Sequence, residues 1–214
     1  MSAMNDAELT PVVREGPSAT ARRTILFSAI AASVAFMLVG YSRWPIDHVL
    51  HQVLILLGLG LIMICIIGRT WCALYIGGVK NQSLVTDGPY SICRNPLYLF
   101  SIIGTTGVAC LYGSIVVTLF IAFLAWANFA WWANCEEGRL LTLFGEDYRR
   151  YHDRVPRFLP DFRQWRDRPI TQIRPRAVVN TFADSLFLLI AIPVSAAFEY
   201  LHEIGVLSTY IALP

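Results

Sequence analysis

The sequence predicts an all-α fold, a polytopic transmembrane helical bundle of about five membrane helices. Three observations point to it. The hydrophobic share is 56% and the charged share 15%, against roughly 45–50% and 25% in soluble domains. The apolar residues gather in long runs at 24–41, 49–67, 97–112, 114–133 and 178–198, apolar on every side, where a soluble helix would show one apolar stripe. The positive charge is segregated. Of 17 Lys and Arg, only Arg43 lies between the first two runs, and the others cluster in the N-terminal tail, in 68–96 and in 134–176. Basic segments stay cytoplasmic, so the N-terminus and both polar segments are expected in the cytosol, in either a bacterial inner membrane or the endoplasmic reticulum.

Residues 1–23 carry Arg14, Arg22 and Arg23 without a cleavage pattern, and read as a mobile cytosolic tail. The first two runs form an antiparallel pair across the loop 42–48, whose Trp44 and Pro45 suit a membrane interface. Gly58, Gly60 and Gly68 let neighbouring helices approach, and Gly77-Gly78 reads as the helix end. His48 and His51 stand at i, i+3. A haem or metal pair is the sharper reading; two polar residues at the headgroups is the one the sequence favours. Pro96 opens the third run, which carries the small-residue face Gly104-Thr105-Thr106-Gly107 and turns at Tyr112-Gly113 into the fourth. That long run passes Trp126, Trp131 and Trp132, an interfacial aromatic group, and continues through Glu136 and Glu137 towards Gly145. Tyr148 and Tyr151 follow at i, i+3 on one face of a short turn. The last run holds Asp184 and Pro193; single crossing and fold-back are both open for 177–214. The core is therefore expected at 24–160, with 161–214 a linker and membrane-associated extension.

Five cysteines, Cys65, Cys72, Cys93, Cys110 and Cys135, form no C-x-x-C pair and read as reduced, buried thiols, with no metal site implied. No dinucleotide fingerprint, P-loop, zinc-protease helix or nucleophile elbow is present, and nothing resembles a nucleic-acid module. At the expected cytosolic end, six arginines (Arg94, Arg139, Arg149, Arg150, Arg154 and Arg157) surround Glu136 and Glu137, with Tyr90, Tyr98, Tyr148 and Tyr151 interleaved. Carboxylates beside aromatic faces suit a cationic ligand, and arginines a carboxylate or phosphate. A hydrated, headgroup-binding loop would use the same composition.

The order Q-x-L-V-x-x-G-P-Y-x-x-x-R-N-P-x-Y at 82–98, followed by E-E-x-x-L-x-x-x-F-G-x-x-Y-x-x-Y-x-x-R-V-P at 136–156, resembles the paired signature of the integral membrane isoprenylcysteine carboxyl methyltransferases and phospholipid methyltransferases. The resemblance covers roughly 80–160. It implies S-adenosyl-L-methionine as cofactor, bound in a cytosolic-face pocket of helix ends. Gln82, Leu84, Val85, Tyr90, Asn95, Pro96, Leu97 and Tyr98 would line that pocket, Glu136 and Glu137 would hold polar ends of the cofactor, and Arg94 and Arg154 would orient the acceptor. Asn95 stands where the isoprenylcysteine enzymes usually have histidine; it can donate and accept a hydrogen bond but cannot become a cation. Since no dedicated base accompanies it, the resemblance implies a lipid-like acceptor that is already reactive. The carboxylate of an isoprenylcysteine-like molecule comes first. A phospholipid amine or a small molecule is the alternative on the same fold. A haem- or quinone-binding membrane protein, and a nicotinamide-dependent relative of the sterol reductases, are the readings outside that chemistry.

Overall fold

The computed structural model describes residues 40–42, 44, 47–76, 83–168, 173–205 and 211–213. The expected tail 1–23, most of the expected first helix 24–41, the helix end at Gly77-Gly78 and the site candidate Gln82 lie outside the described residues. Within them the fold is helical: α1 (Val49–Ile76), the single turn α2 (Pro89–Ile92), α3 (Pro96–Cys110), α4 (Ile115–Arg154), α5 (Pro175–Leu186) and α6 (Ala191–Glu203). A three-residue parallel pairing of β1 (Gly40–Ser42) with β2 (Ile211–Leu213) is the extended structure among the described residues. Three helical spans are long and apolar enough to cross a membrane: α1, α4 and the run from Pro175 to His202, which a 3-10 turn at Phe187–Ile190 carries from α5 into α6. The α3 helix is shorter and apolar. The chain is an integral membrane protein of helical-bundle type.

The centre of the bundle is the seam between α1 and α3. Glycine makes it possible. A Cβ on Gly58 would lie 2.6 Å from the Gly107 carbonyl oxygen and 2.9 Å from the Cys110 Cβ, and one on Gly107 would lie 2.8 Å from the Gly58 carbonyl oxygen. The two backbones are in direct contact there, as small residues allow in the absence of a hydrophobic drive between helices in lipid. Gly104 packs on Cys65 and Gly68 on Phe100, so the small face expected at 104–107 is the one used. A Cβ on Gly60 would meet nothing within 4 Å among the described residues, so Gly60 takes no part in the seam between α1 and α3. Beside the seam, Ile62, Ile66 and Leu111 are buried against Leu188, Leu189 and Ile192, which attaches the C-terminal span to the core.

The two histidines at the start of α1 take different places. His48 is exposed, its ring beside Trp44. His51 is 2% exposed and bridges elements: Nδ1 lies 3.0 Å from the Trp44 carbonyl oxygen and Nε2 3.0 Å from Glu199 Oε1 on α6. With both ring nitrogens held by protein oxygens, His51 fastens the C-terminal span to α1 and has no nitrogen left for a haem or metal.

The α4 helix is straight from Ile115 to Phe144, about 45 Å at 1.5 Å per residue. That is about 15 Å longer than the hydrocarbon core, so its last turns project from the bilayer, with Trp132 near the exit level. At Gly145 the backbone leaves helical geometry (φ 53°, ψ −124°). This left-handed φ favours glycine, and it redirects the chain so that Tyr148, Tyr151 and Val155 bury against Leu84, Leu140 and Phe144. Trp126 and Trp131 are exposed, as interfacial residues should be, whereas Trp132 turns inward.

Adding a side chain at the seam tests this packing. Gly58→Val should destabilise the detergent-purified protein by about 1–3 kcal/mol, read as a fall in thermal midpoint, while Gly60→Val should leave the midpoint in place.

Candidate functional site

Two sequence segments that are far apart in the chain are laced together at the end of the bundle. Backbone bonds run from Arg94 N to Pro156 O (2.8 Å), Asn95 N to Arg157 O (3.2 Å), Asp161 N to Ile92 O (3.0 Å) and Gly88 N to Arg166 O (2.8 Å). Tyr151 donates its hydroxyl to the Tyr90 carbonyl oxygen at 2.7 Å, and the Arg166 N–H donates to Ser91 Oγ at 3.0 Å. Trp71 stacks on Trp165 with centroids 5.7 Å apart, and Arg168 pairs with Asp87. The segment 156–168 is thus a strap over the turn 87–95.

Beneath the strap lies a buried charge cluster. Glu137, 6% exposed, accepts from Arg157 Nη2 (2.6 Å) and Nε (3.2 Å), from Arg94 Nε (3.2 Å) and from Asn95 Nδ2 (2.8 Å). Arg94 continues to the carbonyl oxygens of Val155 (2.8 Å) and His152. A carboxylate can only accept, so the Asn95 amide must point its NH2 at Glu137. Its oxygen is left for the other side.

That other side is a cavity of about 340 Å³. One wall is the turn and loop before α3: Ser83, Leu84, Val85, Tyr90, Arg94 and Asn95. Leu97 and Tyr98 of α3, and Ile76 at the end of α1, form the bilayer side. The opposite wall is one face of α4, Trp132, Glu136, Leu140 and Phe144, spaced four apart, with Tyr151 closing the top. Two polar atoms at the cavity, Tyr90 Oη on the first wall and Trp132 Nε1 on the second, are buried without a hydrogen-bond partner among the described residues. Burial, more than any neighbouring group, pushes the Tyr90 phenol well above its ordinary range, so it stands protonated as a donor. The Glu136 carboxylate is partly exposed at the rim, 3.1 Å from Arg139 Nη2 one turn along the helix. Tyr98 packs on Phe129 with centroids 5.7 Å apart.

Of the residues singled out from the sequence, Leu84, Val85, Tyr90, Arg94, Asn95, Leu97, Tyr98 and Glu136 are brought to one cavity. Pro96 is buried at the first turn of α3 and supports the wall from behind. Glu137 faces the charge cluster, and Arg154 is exposed at the end of α4, where its carbonyl oxygen accepts from Gln164. Trp132, Leu140, Phe144 and Tyr151 were not anticipated as wall residues. The four-residue spacing of Trp132, Leu140 and Phe144 about Glu136 carried that information for the first three.

The sequence profile of the phospholipid methyltransferase family matches residues 46–147. The chain is 34% identical over 180 residues (84% of this chain, 82% of that protein) to the cobalt-zinc-cadmium resistance protein CzcN of Cupriavidus metallidurans. It is 31% identical over 196 residues, 91% of each chain, to the nickel-cobalt-cadmium resistance protein NccN of Alcaligenes xylosoxydans xylosoxydans. Over 81 residues, 38% of this chain and 34% of that protein, it is 36% identical to the protein-S-isoprenylcysteine O-methyltransferase of Schizosaccharomyces pombe. No solved structure matches significantly.

Two measurements check this geometry. Removing the carboxylate in Glu137→Ala strands two arginines and should cost about 3–5 kcal/mol, seen as a lower thermal midpoint and protease nicking within the strap. Burial holds the Cys93 thiol up at about 12, above its unfolded value, so near pH 8 a maleimide should leave Cys93 unlabelled until the protein unfolds. The half-buried Cys135 should react first in the folded protein.

Proposed function

The chain belongs to the integral membrane isoprenylcysteine carboxyl methyltransferase and phospholipid methyltransferase family, and we propose that it transfers a methyl group from S-adenosyl-L-methionine to a lipid-like acceptor at the cytosolic membrane face. The observation that carries this reading is the pair of orphaned donors, Tyr90 Oη and Trp132 Nε1, buried at a cavity that also presents a carboxylate, Glu136. Buried polar atoms are rarely left unpaired. A ligand with acceptor atoms and one cationic end satisfies all three groups, and S-adenosyl-L-methionine is such a ligand.

When bound, the cofactor supplies a methyl already activated on a sulfonium. The residues of the chain hold, orient and keep out water. Glu136 holds the ammonium end, with Arg139 fixing its rotamer from one turn away. Tyr90 and Trp132 donate to acceptor atoms of the same ligand. The Tyr98 ring, backed by Phe129, would offer an aromatic face to the positive sulfur region. Leu84, Val85, Leu97, Leu140 and Phe144 make the rest of the wall apolar, which strengthens each polar contact. Arg94 acts as a positioning residue, since its guanidinium is spent on Glu137 and on backbone carbonyls.

The chemistry such a cofactor would supply is in-line displacement, in which a lone pair of the acceptor would replace the sulfur at the methyl carbon and the sulfur would keep the electrons of the broken bond; the residues of the chain would contribute position and the exclusion of water. Orientation provides most of the rate in such a step. Tyr90 stays protonated and Asn95 is neutral, so neither removes a proton from the acceptor. An acceptor that is nucleophilic as it arrives, the carboxylate of an isoprenylcysteine-like lipid, therefore fits best. It enters laterally past Leu97 and Tyr98 on the bilayer side.

Calorimetric titration of the detergent-purified protein with S-adenosylhomocysteine, the product form of the cofactor, tests the reading. Saturable binding is expected, weakened about tenfold by Tyr90→Phe, the loss of one hydrogen bond, with no fall in thermal midpoint because Tyr90 Oη has no internal partner among the described residues. Absence of binding in a folded, monodisperse sample would overturn it.

A further inference from the structure

Arg69 belongs to the apolar span of α1 and takes no part in the cavity. Its Nε donates to Ser185 Oγ of α5 at 2.9 Å, and its Nη1 donates to Ser101 Oγ of α3. Each serine donates in turn to its own helix, Ser101 to the Leu97 carbonyl at 2.8 Å and Ser185 to the Thr181 carbonyl at 2.7 Å. Both hydroxyls are buried, Ser101 7% and Ser185 1% exposed, and their lone pairs are aimed at the guanidinium. They supply dipoles but no charge. Among the described residues no carboxylate lies within ion-pair distance of Arg69. Asp184, next to Ser185, is exposed and outside that distance. The apolar run 24–41 contains no Asp or Glu, so it has no counter-ion to offer. Of the five N–H groups of a guanidinium, three have no partner among the described residues.

A cation in a membrane span is costly unless something compensates it. Here three helices converge on it, two with hydroxyls already turned towards it, and no negative partner stands against it among the described residues. We propose that Arg69, Ser101 and Ser185 form a seat for the anionic oxygen group, phosphate or carboxylate, of a membrane lipid. The planar fork of arginine suits both groups by two-point contact. The surroundings favour a lipid over a soluble anion, since Phe182, Leu186 and Phe187 of the same span are exposed and would lie along acyl chains. The seat is near the cofactor cavity without being part of it. Arg69 is two turns from Ile76, and Ser101 one turn from Leu97, both on the cavity wall; two turns are about 11 Å.

Native mass spectrometry of the full chain, delipidated in detergent and titrated with phosphatidylglycerol, oleate or phosphatidylcholine, tests the seat. One phosphatidylglycerol or one oleate should be retained in preference to phosphatidylcholine. Affinity should fall about tenfold or more in Arg69→Gln, and less in Arg69→Lys, which keeps the charge and loses the fork. Should Arg69→Gln not fold, Arg69→Lys and Ser185→Ala carry the comparison. S-adenosylhomocysteine binding should be unchanged in these variants, so failure of the seat and failure of the methyl-transfer reading are separable. Equal retention of phosphatidylcholine, undiminished phosphatidylglycerol binding by a folded Arg69 variant, or displacement of the lipid by inorganic phosphate at equal concentration would overturn the proposal.

Discussion

The ordered polar end of this bundle depends on one buried carboxylate. Glu137 collects hydrogen bonds from Arg94 and Asn95, which precede α3, and from Arg157, which follows α4. Two segments that share no helix are thereby fixed to a single point on α4. The arrangement has two arginines to one glutamate, so its stability rests on Arg94 also reaching the Val155 and His152 carbonyls. The several hydrogen bonds converging on the Glu137 carboxylate are what let such a cluster exist at low dielectric; a carboxylate left unpaired there would be worse than apolar packing.

The cavity follows from that fixation. Glu136 and Glu137 are adjacent, and successive residues of a helix point about 100° apart. Anchoring Glu137 on one side of α4 turns Glu136, with Trp132, Leu140 and Phe144, to the other, where the turn 83–95 faces it. The same anchor orients Asn95, whose amide nitrogen is committed to Glu137 and whose oxygen is therefore free of it. The membrane part contributes rigidity. Glycine contact between α1 and α3 holds Ile76 and Leu97 at the rim, and the length of α4 lifts its charged turn clear of the hydrocarbon.

Much of this was legible in the residues. The apolar runs marked the spans, Pro96 the start of α3, Gly145 the break in α4, and the two motifs the segments that meet. What escaped was rotation and long-range pairing. The glutamate pair looks symmetrical in a string, and only the four-residue spacing through Trp132, Leu140 and Phe144 tells the two apart. Gly58 and Gly60 look equally suited to a helix seam, yet among the described residues one touches a backbone and the other nothing. His51 reads as an interfacial polar residue until Glu199, 148 positions later, is brought against it. The sequence profile of α5 and α6 likewise contained no sign that Ser185 would meet Arg69.

The strap has a consequence for biosynthesis. Gly88 is held by the carbonyl oxygen of Arg166, so the turn that forms one wall of the cavity has its last backbone partner some eighty residues downstream. Chains are made from the N-terminus, and α3 and α4 must both be translated before residue 166 leaves the ribosome. The nascent protein thus passes through a stage in which its membrane helices are laid down while the cavity end is still open. Completion of the cavity is a late event on the water side of the membrane, timed by the emergence of a short basic segment.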